Sequence, residues 1–405
     1  MKSNDMIDRL ITRYGEHCSK SKLTVSEKVV KRIQETGIGQ LNASALKLKD
    51  AQILALVETL NHEETIPHLV KIDFSLNCIT DTSAKNLAEL FVRAAATLTH
   101  LNLSGNDISP TGVNSMLFRK KDKISLIHLF GAQLCKCFEH CKKLQYLNLN
   151  GNKIGNESAI ELSEHLNQIP SLSELDVGNC DIGVQGWTHI MVFLQSHPSI
   201  ETLNMENARI QVLSDEMSHH CGTLLFCSKS LKYINISKQV SSLYVSVYGI
   251  GIGNKGIEWI AHYLRKNNVL YTLDISCNGI GCDGIFSLRR ILCRPISVLK
   301  HLILNGNRLT DLSSQSIAAI ILDNNTLVSL HLANCDLNDN GLCVIGEAVK
   351  KKCNNKKAIT LQKLFLDGNC FGTKSRALWS QLAKGEQLQS PVIQLDCVSL
   401  LQEPF

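Results

Sequence analysis

The sequence has no long apolar segment and little excess of either charge. Its 405 residues contain no uninterrupted apolar run of about 18, and the N-terminal stretch MKSNDMIDRLITRYGEHCSK lacks the apolar core of a signal peptide. These absences predict a cytoplasmic protein that spans no membrane, with nuclear or ciliary association left open. Its 42 basic and 37 acidic residues leave a formal net charge of +5, too small to make nucleic acid the expected partner.

Recognisable catalytic signatures are missing as well. No GxxxxGK[ST], HExxH or GxSxG string occurs, and the scattered Asp, Glu and His residues are not paired for acid–base work. We therefore expect no enzyme activity, no cofactor and no small-molecule substrate.

The 16 cysteines do not indicate a disulfide or zinc framework. The densest cluster, Cys135, Cys137, His140 and Cys141, has no second pair nearby, and four ligands within so short a helical stretch cannot converge on one ion. Most thiols fall at apolar or tight-turn positions, which predicts reduced cysteines in a cytosolic protein and no bound metal.

What the sequence does contain is an internal repeat of the form LxxLxLxxN/CxI/L, as in LTHLNLSGNDI from Leu98. Many starts lie 28 or 29 residues apart, as from Leu144 to Leu172. Ten clear copies begin at Leu69, Leu98, Leu144, Leu172, Ile200, Leu231, Leu270, Leu299, Leu327 and Leu361. A weaker copy is placed at Ala43 (ASALKLKDAQI), and VIQLDCVSL near the C-terminus is interpreted as a half-copy that closes the stack.

Each repeat is predicted to be one strand followed by one helix, because the apolar period changes from 2 to 3.6 after each motif. The fourth and sixth places should face the core, and the third and fifth should face outward. The ninth-place residue, Asn in most copies and Cys180 or Cys335 in two, should bond backbone groups of adjacent repeats. In this register the GxGxxG string at 251–256 is a strand-to-helix turn, not a dinucleotide site.

These motifs resemble the ribonuclease-inhibitor-like leucine-rich repeats, over roughly residues 43 to 398. The resemblance implies an α/β solenoid, a horseshoe with a parallel β-sheet on its concave face and α-helices on its convex face. It also implies a non-catalytic scaffold that binds a protein partner, whose identity the resemblance leaves open. Two alternatives remain: a Ran-type GTPase-activating regulator, although the acidic C-terminal stretch typical of that group is absent, and a structural subunit of a ciliary or cytoskeletal assembly.

The predicted organisation is an N-terminal helical cap over 1–42, a repeat domain of about 11 repeats over 43–398, and a tail over 399–405. Insertions are expected near 117–134, 240–250 and 350–357, where the spacing between copies expands; a degenerate short repeat from Ile124 is the alternative for the first. The last is interpreted as a solvated lysine-rich loop, with an acidic partner as the alternative.

The outward places of the strands supply the candidate binding site. The fifth place is Asp or Asn in seven copies, interpreted as a ladder bonded between strands, but it becomes Ile303, His331 and Phe365 in the last three. Apolar anchors in a polar surround are typical of binding hot spots, and aromatic residues are enriched at recognition surfaces. The predicted partner-binding residues are Tyr146, Tyr233, Tyr271, His301, Ile303, His331, Lys363 and Phe365.

Overall fold

The computed structural model describes residues 3–109, 140–209, 215–237, 251–294, 297–354, 360–383 and 394–396. The chain divides into an N-terminal unit, Met1–Ala208, and a C-terminal unit, Arg209–Phe405. The strands of the N-terminal unit are β1 Gln40–Asn42, β2 Lys71–Asp73, β3 His100–Asn102, β4 Tyr146–Asn148, β5 Glu174–Asp176 and β6 Thr202–Asn204. Those of the C-terminal unit are β7 Tyr233–Asn235, β8 Thr272–Asp274, β9 His301–Ile303, β10 Ser329–His331, β11 Lys363–Phe365 and β12 Gln394–Asp396.

The described α-helices follow the strands along the chain and pack in a separate layer. In the N-terminal unit they are α1 Ser3–Lys20, α2 Glu27–Thr36, α3 Asp50–Leu60, α4 Asp81–Arg93, α5 Gly155–Leu166 and α6 Val184–Leu194. In the C-terminal unit they are α7 Asp215–Cys227, α8 Gly253–Leu264, α9 Cys282–Leu292, α10 Ser314–Asp323, α11 Asp339–Asn354 and α12 Thr373–Ala383. Many helices contact the next one in sequence, as α5 contacts α6 and α10 contacts α11.

Within each unit the strands pair in parallel and in chain order. The middle residue of a strand is the fourth place of the motif, and it is buried in β1 to β11. Sixth-place residues such as Phe74, Leu103 and Leu304 are buried beside it, whereas most third- and fifth-place residues keep some exposure. The predicted α/β repeat solenoid, with strands in one layer and helices in the other, is therefore confirmed.

The ninth-place asparagines bond the repeats to each other, as predicted. Asn307, 1% exposed, accepts hydrogen bonds at Oδ1 from the N–H groups of Asn278 and Ile280, at 2.9 and 3.0 Å. Its Nδ2 donates to the carbonyl groups of Ile275 and Leu304, at 3.0 and 2.7 Å. The partners belong to both the same and the preceding repeat, so each asparagine fixes the spacing of two strands.

The two cysteines in the same place act as thiol donors. Cys180 Sγ donates to the Leu149 carbonyl at 3.1 Å, and Cys335 Sγ donates to the Leu304 carbonyl at 3.3 Å. Burial raises the pKa of each thiol to about 12, which keeps the proton needed for this bond in place.

The first repeat starts five residues earlier than predicted, at Ile38 instead of Ala43. Leu41, in β1, pairs with Ile72 and fills the fourth place, so the first motif begins at Ile38. The prediction of its register was wrong because Leu46 stands where most copies have Asn and a small Ala43 stands in the sixth place. Helices α1 and α2 precede it, and α1 packs on α3. The domain boundaries themselves stay a prediction.

The lysine-rich segment near 350–357 is not a loop over its first five residues, which form the end of α11. Lys352 is 5% exposed, and its Nζ donates to the carbonyls of Leu322 and Asn324, at 2.9 and 3.0 Å, and to Asn325 Oδ1 at 3.1 Å. The ammonium thus satisfies carbonyl groups where α10 ends. The insertions predicted at 117–134 and 240–250 lie outside the described residues.

A second row of polar residues, which sequence reasoning missed, joins the starts of the helices. Asn156 Oδ1 accepts from the N–H groups of Gly183 and Gly186, at 2.8 and 3.0 Å, in the next repeat. A Cβ at Gly186 would lie 3.1 Å from that oxygen and 2.8 Å from Ala159 Cβ. Gly284 has the same relation to Asn254 Oδ1, at 2.9 Å from an added Cβ. Glycine is therefore required at these two helix entries because the preceding repeat packs an asparagine side chain against them.

Candidate functional site

The outward side chains of the strands form straight rows because neighbouring strands pair without offset. In the C-terminal unit, Ile303, His331 and Phe365 occupy three consecutive fifth places. The third-place row of the same strands contains His301, Ser329 and Lys363. Five of the eight predicted site residues are thus brought together on β9, β10 and β11, with adjacent strands about 4.8 Å apart.

The polar residues in the fifth place have a local structural role. Asp73 Oδ1 accepts from the Ser75 N–H at 2.9 Å, and Asn148 Oδ1 accepts from the Asn150 N–H at 2.9 Å. The same bond to the seventh-place N–H is made by Asn42, Asn102, Asp176, Asn204, Asn235 and Asp274. The predicted ladder between strands is therefore mostly wrong: these side chains cap the turn that ends their own strand.

That structural role is not carried out by the fifth place in β9 to β11. Ile303 and Phe365 have no polar side-chain atom, so neither can cap a turn. In the repeat of β10, whose fifth place is His331, the seventh-place N–H of Ala333 donates instead to Asn305 Oδ1 of the preceding repeat, at 2.9 Å. The side chains at 303, 331 and 365 are therefore not dictated by the turn.

His331 and Phe365 form the centre of this patch. Their rings stack with centroids 4.0 Å apart and an angle of 20° between planes. Both residues and Ile303 are half-buried, whereas the sequence predicted that Ile303 and Phe365 are exposed; the stacked rings of His331 and Phe365 cover part of each other. Ile303, His331 and Phe365 therefore form a preformed surface, called the apolar strip, whose outward side remains accessible.

The two histidines of the patch are held neutral. Burial, followed by the charges of Lys363 and Lys300, lowers the pKa of His301, whose Nδ1 lies 2.7 Å from Ser329 Oγ. Burial likewise lowers the pKa of His331; the Asp274 carboxylate opposes this effect, whereas His301 and Lys363 add to it. Imidazoles flanked by lysines in a partly buried site are poised to gain protons when an anion arrives.

The two tyrosines predicted to lie on adjacent strands are not opposite each other. Tyr233 is the third-place residue of β7, and its partner on β8 is Thr272. Tyr271 comes before β8, bonds the Lys232 carbonyl through its N–H, and is 46% exposed. Tyr271 therefore belongs to the second-place row, with Lys232 and Lys300 on either side.

Tyr146 lies in the other unit, in a more polar setting. Its ring stacks on His100 with centroids 5.9 Å apart, and its hydroxyl accepts from Asn148 Nδ2 at 3.0 Å. Both residues line a shallow depression of about 320 Å³ on the strand face, together with Lys71 and Asp73. Burial, reinforced by Lys71 and opposed by Glu174, lowers the pKa of His100.

Sequence reasoning also missed an aromatic cluster on α7 and α8, which includes His219, Trp259 and Tyr263. Tyr263 OH lies 2.8 Å from His219 Nδ1, and the Trp259 ring meets the His219 ring edge-on at 5.8 Å. Gly222 makes room for this cluster, because a Cβ there would come within 2.1 Å of the Tyr263 ring.

Neither a metal-binding cluster nor a membrane-spanning helix occurs among the described residues. In these ranges no three His, Cys, Asp or Glu side chains are grouped so that they could hold a metal ion; of the predicted cluster, Cys135 and Cys137 lie outside the described residues. In the same ranges, every helix is too short or too polar to cross a bilayer. Gly253 begins α8, which agrees with the strand-to-helix turn predicted for the GxGxxG string.

Comparison with known proteins gives consistent results. The family model described as Leucine Rich repeat matches residues 65–88, 94–117, 140–163, 266–288 and 323–345. Ribonuclease inhibitor of Mus musculus is 26% identical over 340 residues, which are 81% of this chain and 70% of that protein. Ribonuclease inhibitor of Sus scrofa is 26% identical over 327 residues, 78% of this chain and 68% of that protein.

A third relative is much longer than the chain. NACHT, LRR and PYD domains-containing protein 14 of Homo sapiens is 23% identical over 299 residues, which are 69% of this chain but 26% of that protein. The strand register, the ninth-place ladder and these matches together show leucine-rich repeats that are similar to those of the ribonuclease inhibitors.

Proposed function

We propose that this protein is a non-catalytic scaffold that binds a protein partner through the strand face of its C-terminal unit. The contact surface consists of Ile303, His331 and Phe365, with His301 and Lys363 beside them and Tyr233 and Tyr271 toward β7. Tyr146 is proposed as an additional contact in the N-terminal unit.

One observation carries this proposal: the fifth place caps its turn from β1 to β8 but not in β9 to β11. An outward residue that makes no structural hydrogen bond is usually polar, because its side chain is solvated. Instead, an aliphatic residue, an imidazole and a phenyl ring lie side by side there. Preformed aromatic and apolar strips with polar surroundings are typical of binding hot spots.

The similarity to relatives named ribonuclease inhibitor supports a binding role, since that name describes action on another protein. We place the protein in the cytoplasm, where Cys180 and Cys335 would remain thiols and keep donating to the carbonyl groups beneath them. No cofactor, metal, small-molecule substrate, membrane or nucleic acid is part of the proposal.

The test begins with wild-type protein used to capture partners from its source tissue. Each captured protein is then purified, and its affinity is measured for wild type, Phe365→Ala and His331→Ala. We expect each substitution to weaken binding by at least about tenfold, as loss of a central hot-spot residue does. Thr202→Ala, at a third place in the N-terminal unit, is the matched control and should bind as wild type.

Tyr146→Ala tests the additional contact, and a loss of affinity there would extend the surface to the N-terminal unit. Unchanged affinity of both Phe365→Ala and His331→Ala for every captured partner would show that the strip is not the contact surface. Circular dichroism on each variant separates loss of binding from loss of folding.

A further inference from the structure

We propose that the strand face of the C-terminal unit takes an acidic polypeptide segment and that binding is coupled to protonation of His301 and His331. This inference rests on the proposed function, because it names the chemistry of the partner for the same surface. It follows from the placement of charges on the rows around the apolar strip.

The cationic side chains lie along one side of the strip. Lys232 and Lys300 occupy second places, immediately before β7 and β9, and Lys363 occupies the third place of β11. His301 directly follows Lys300 and shares the third-place row with Lys363, with Ser329 of β10 between them. The apolar strip lies one row further, in the fifth places. A polypeptide that crosses the strands can therefore place carboxylates over the lysines and apolar side chains over the strip.

In the C-terminal unit, the described fifth-place row contains two acidic residues, one on each side of the apolar strip. Asp274 precedes Ile303, and Asp396 follows Phe365 in register. Between them the row contains no carboxylate. Opposite charges across an interface favour association, and like charges disfavour it. This arrangement favours an anionic partner whose charged groups lie over the middle of the sheet.

The histidines make the interaction depend on pH. The charged groups facing them are Asp274 on β8, Lys300 beside β9, Lys363 on β11 and each other, with Asp396 at the register position beyond Phe365. In the free protein, burial and the lysines favour the neutral imidazoles. A bound carboxylate favours the imidazolium form, so binding takes up protons and strengthens as the pH falls through the histidine range.

A polypeptide fits better than a nucleic acid. The rows contain lysine and histidine but no arginine, the residue that pairs bidentately with phosphate. A phosphate backbone would also lose favourable contacts, because Ile303 is apolar and Asp274 has the same sign of charge as phosphate. An apolar strip bordered by lysines is complementary to a segment in which acidic and aliphatic residues alternate.

The experiment uses a blocked, fluorescein-labelled 12-residue peptide of repeating Glu-Glu-Leu, together with matched peptides in which Gln or Lys replaces Glu. Anisotropy is measured with the full chain at pH 7.5 and 5.5, where glutamate remains ionised. We expect the Glu peptide to bind more tightly than both others, with an affinity about tenfold higher at pH 5.5. A dT12 oligonucleotide that binds more tightly than the Glu peptide, or an equal affinity at both pH values, would overturn the proposal.

Three variants locate the effect. The double variant Lys300→Gln with Lys363→Gln should lose at least about tenfold in affinity, whereas Lys71→Gln on the other strand face should not. His301→Asn with His331→Asn should keep binding at pH 7.5 but lose the increase at pH 5.5; persistence of that increase would also overturn the proposal. If captured partners require Phe365 but ignore charge and pH, this inference fails while the proposed function stands.

Discussion

The strand faces of the two units have the same backbone design but different surface chemistry. In the second, third and fifth places, the N-terminal unit presents one lysine, Lys71, and four carboxylates, Asp73, Glu174, Asp176 and Glu201. In the same places, the C-terminal unit presents three lysines, Lys232, Lys300 and Lys363, and two aspartates that flank the apolar strip; it also has two histidines, against one, His100, in the N-terminal unit. The two units therefore share the hydrogen bonds that join their repeats and differ in the charges on the outward face of their strands.

The fifth place shows how this difference arose without disturbing the fold. An Asp or Asn there bonds an N–H two residues away, so the residue type is fixed by the turn. In the repeat of β10, Asn305 of the preceding repeat accepts from the seventh-place N–H, and the fifth place is His331. There the outward residue can change because another residue bonds the turn.

The largest expected effect on stability comes from replacing a ninth-place asparagine, which both units contain. Asn307→Ala in the C-terminal unit and Asn152→Ala in the N-terminal unit each remove buried bonds to backbone groups of two repeats. We expect each to lower the free energy of unfolding by about 2–4 kcal/mol, because the N–H and carbonyl groups left behind stay buried without partners. Urea unfolding measures the effect.

Asn340→Ala is the control for this pair, since Asn340 is an exposed residue of α11. Its substitution should change stability by a few tenths of a kcal/mol at most. If Asn307→Ala were as mild as the control, the ninth-place ladder would not be what holds the repeats in register.

The second prediction compares the side chains that donate hydrogen bonds to the carbonyl groups at a helix end in each unit. Lys352 donates from a buried position to three oxygens at the end of α10, whereas Arg93 donates to Asn61 at the end of α3 from an exposed position. Lys352→Met should lower the free energy of unfolding by about 2–3 kcal/mol, because charged hydrogen bonds to buried carbonyls are lost. Arg93→Met, measured in the same urea titration, should have a clearly smaller effect because water replaces its bonds.

These contrasts also show how far the sequence could predict the molecule. The repeat period placed the strands β2 to β11 and the ladder asparagines, because those residues recur at fixed spacing. The register of β1 was missed because Ala43 and Leu46 obscure its motif. Lys352 was missed for another reason: its partners lie in the preceding repeat, and burial of a single lysine leaves no local pattern. Tyr271 was predicted to lie on the strand next to that of Tyr233, whereas it immediately precedes β8, because the repeat pattern does not fix the residue at which strand pairing begins.

The smallest expected effect tests the fifth place directly by exchanging residues between units. Ile303→Asn supplies an Oδ1 that can accept from the Asn305 N–H, as Asn148 accepts from Asn150. We expect its stability to remain within about 0.5 kcal/mol of wild type, since a gained cap offsets lost apolar contacts. The reverse change, Asn148→Ile, removes a cap without a replacement and should cost about 1 kcal/mol. A loss for Ile303→Asn as large as that for Asn148→Ile would mean that packing, not freedom from the turn, determines the residue at 303.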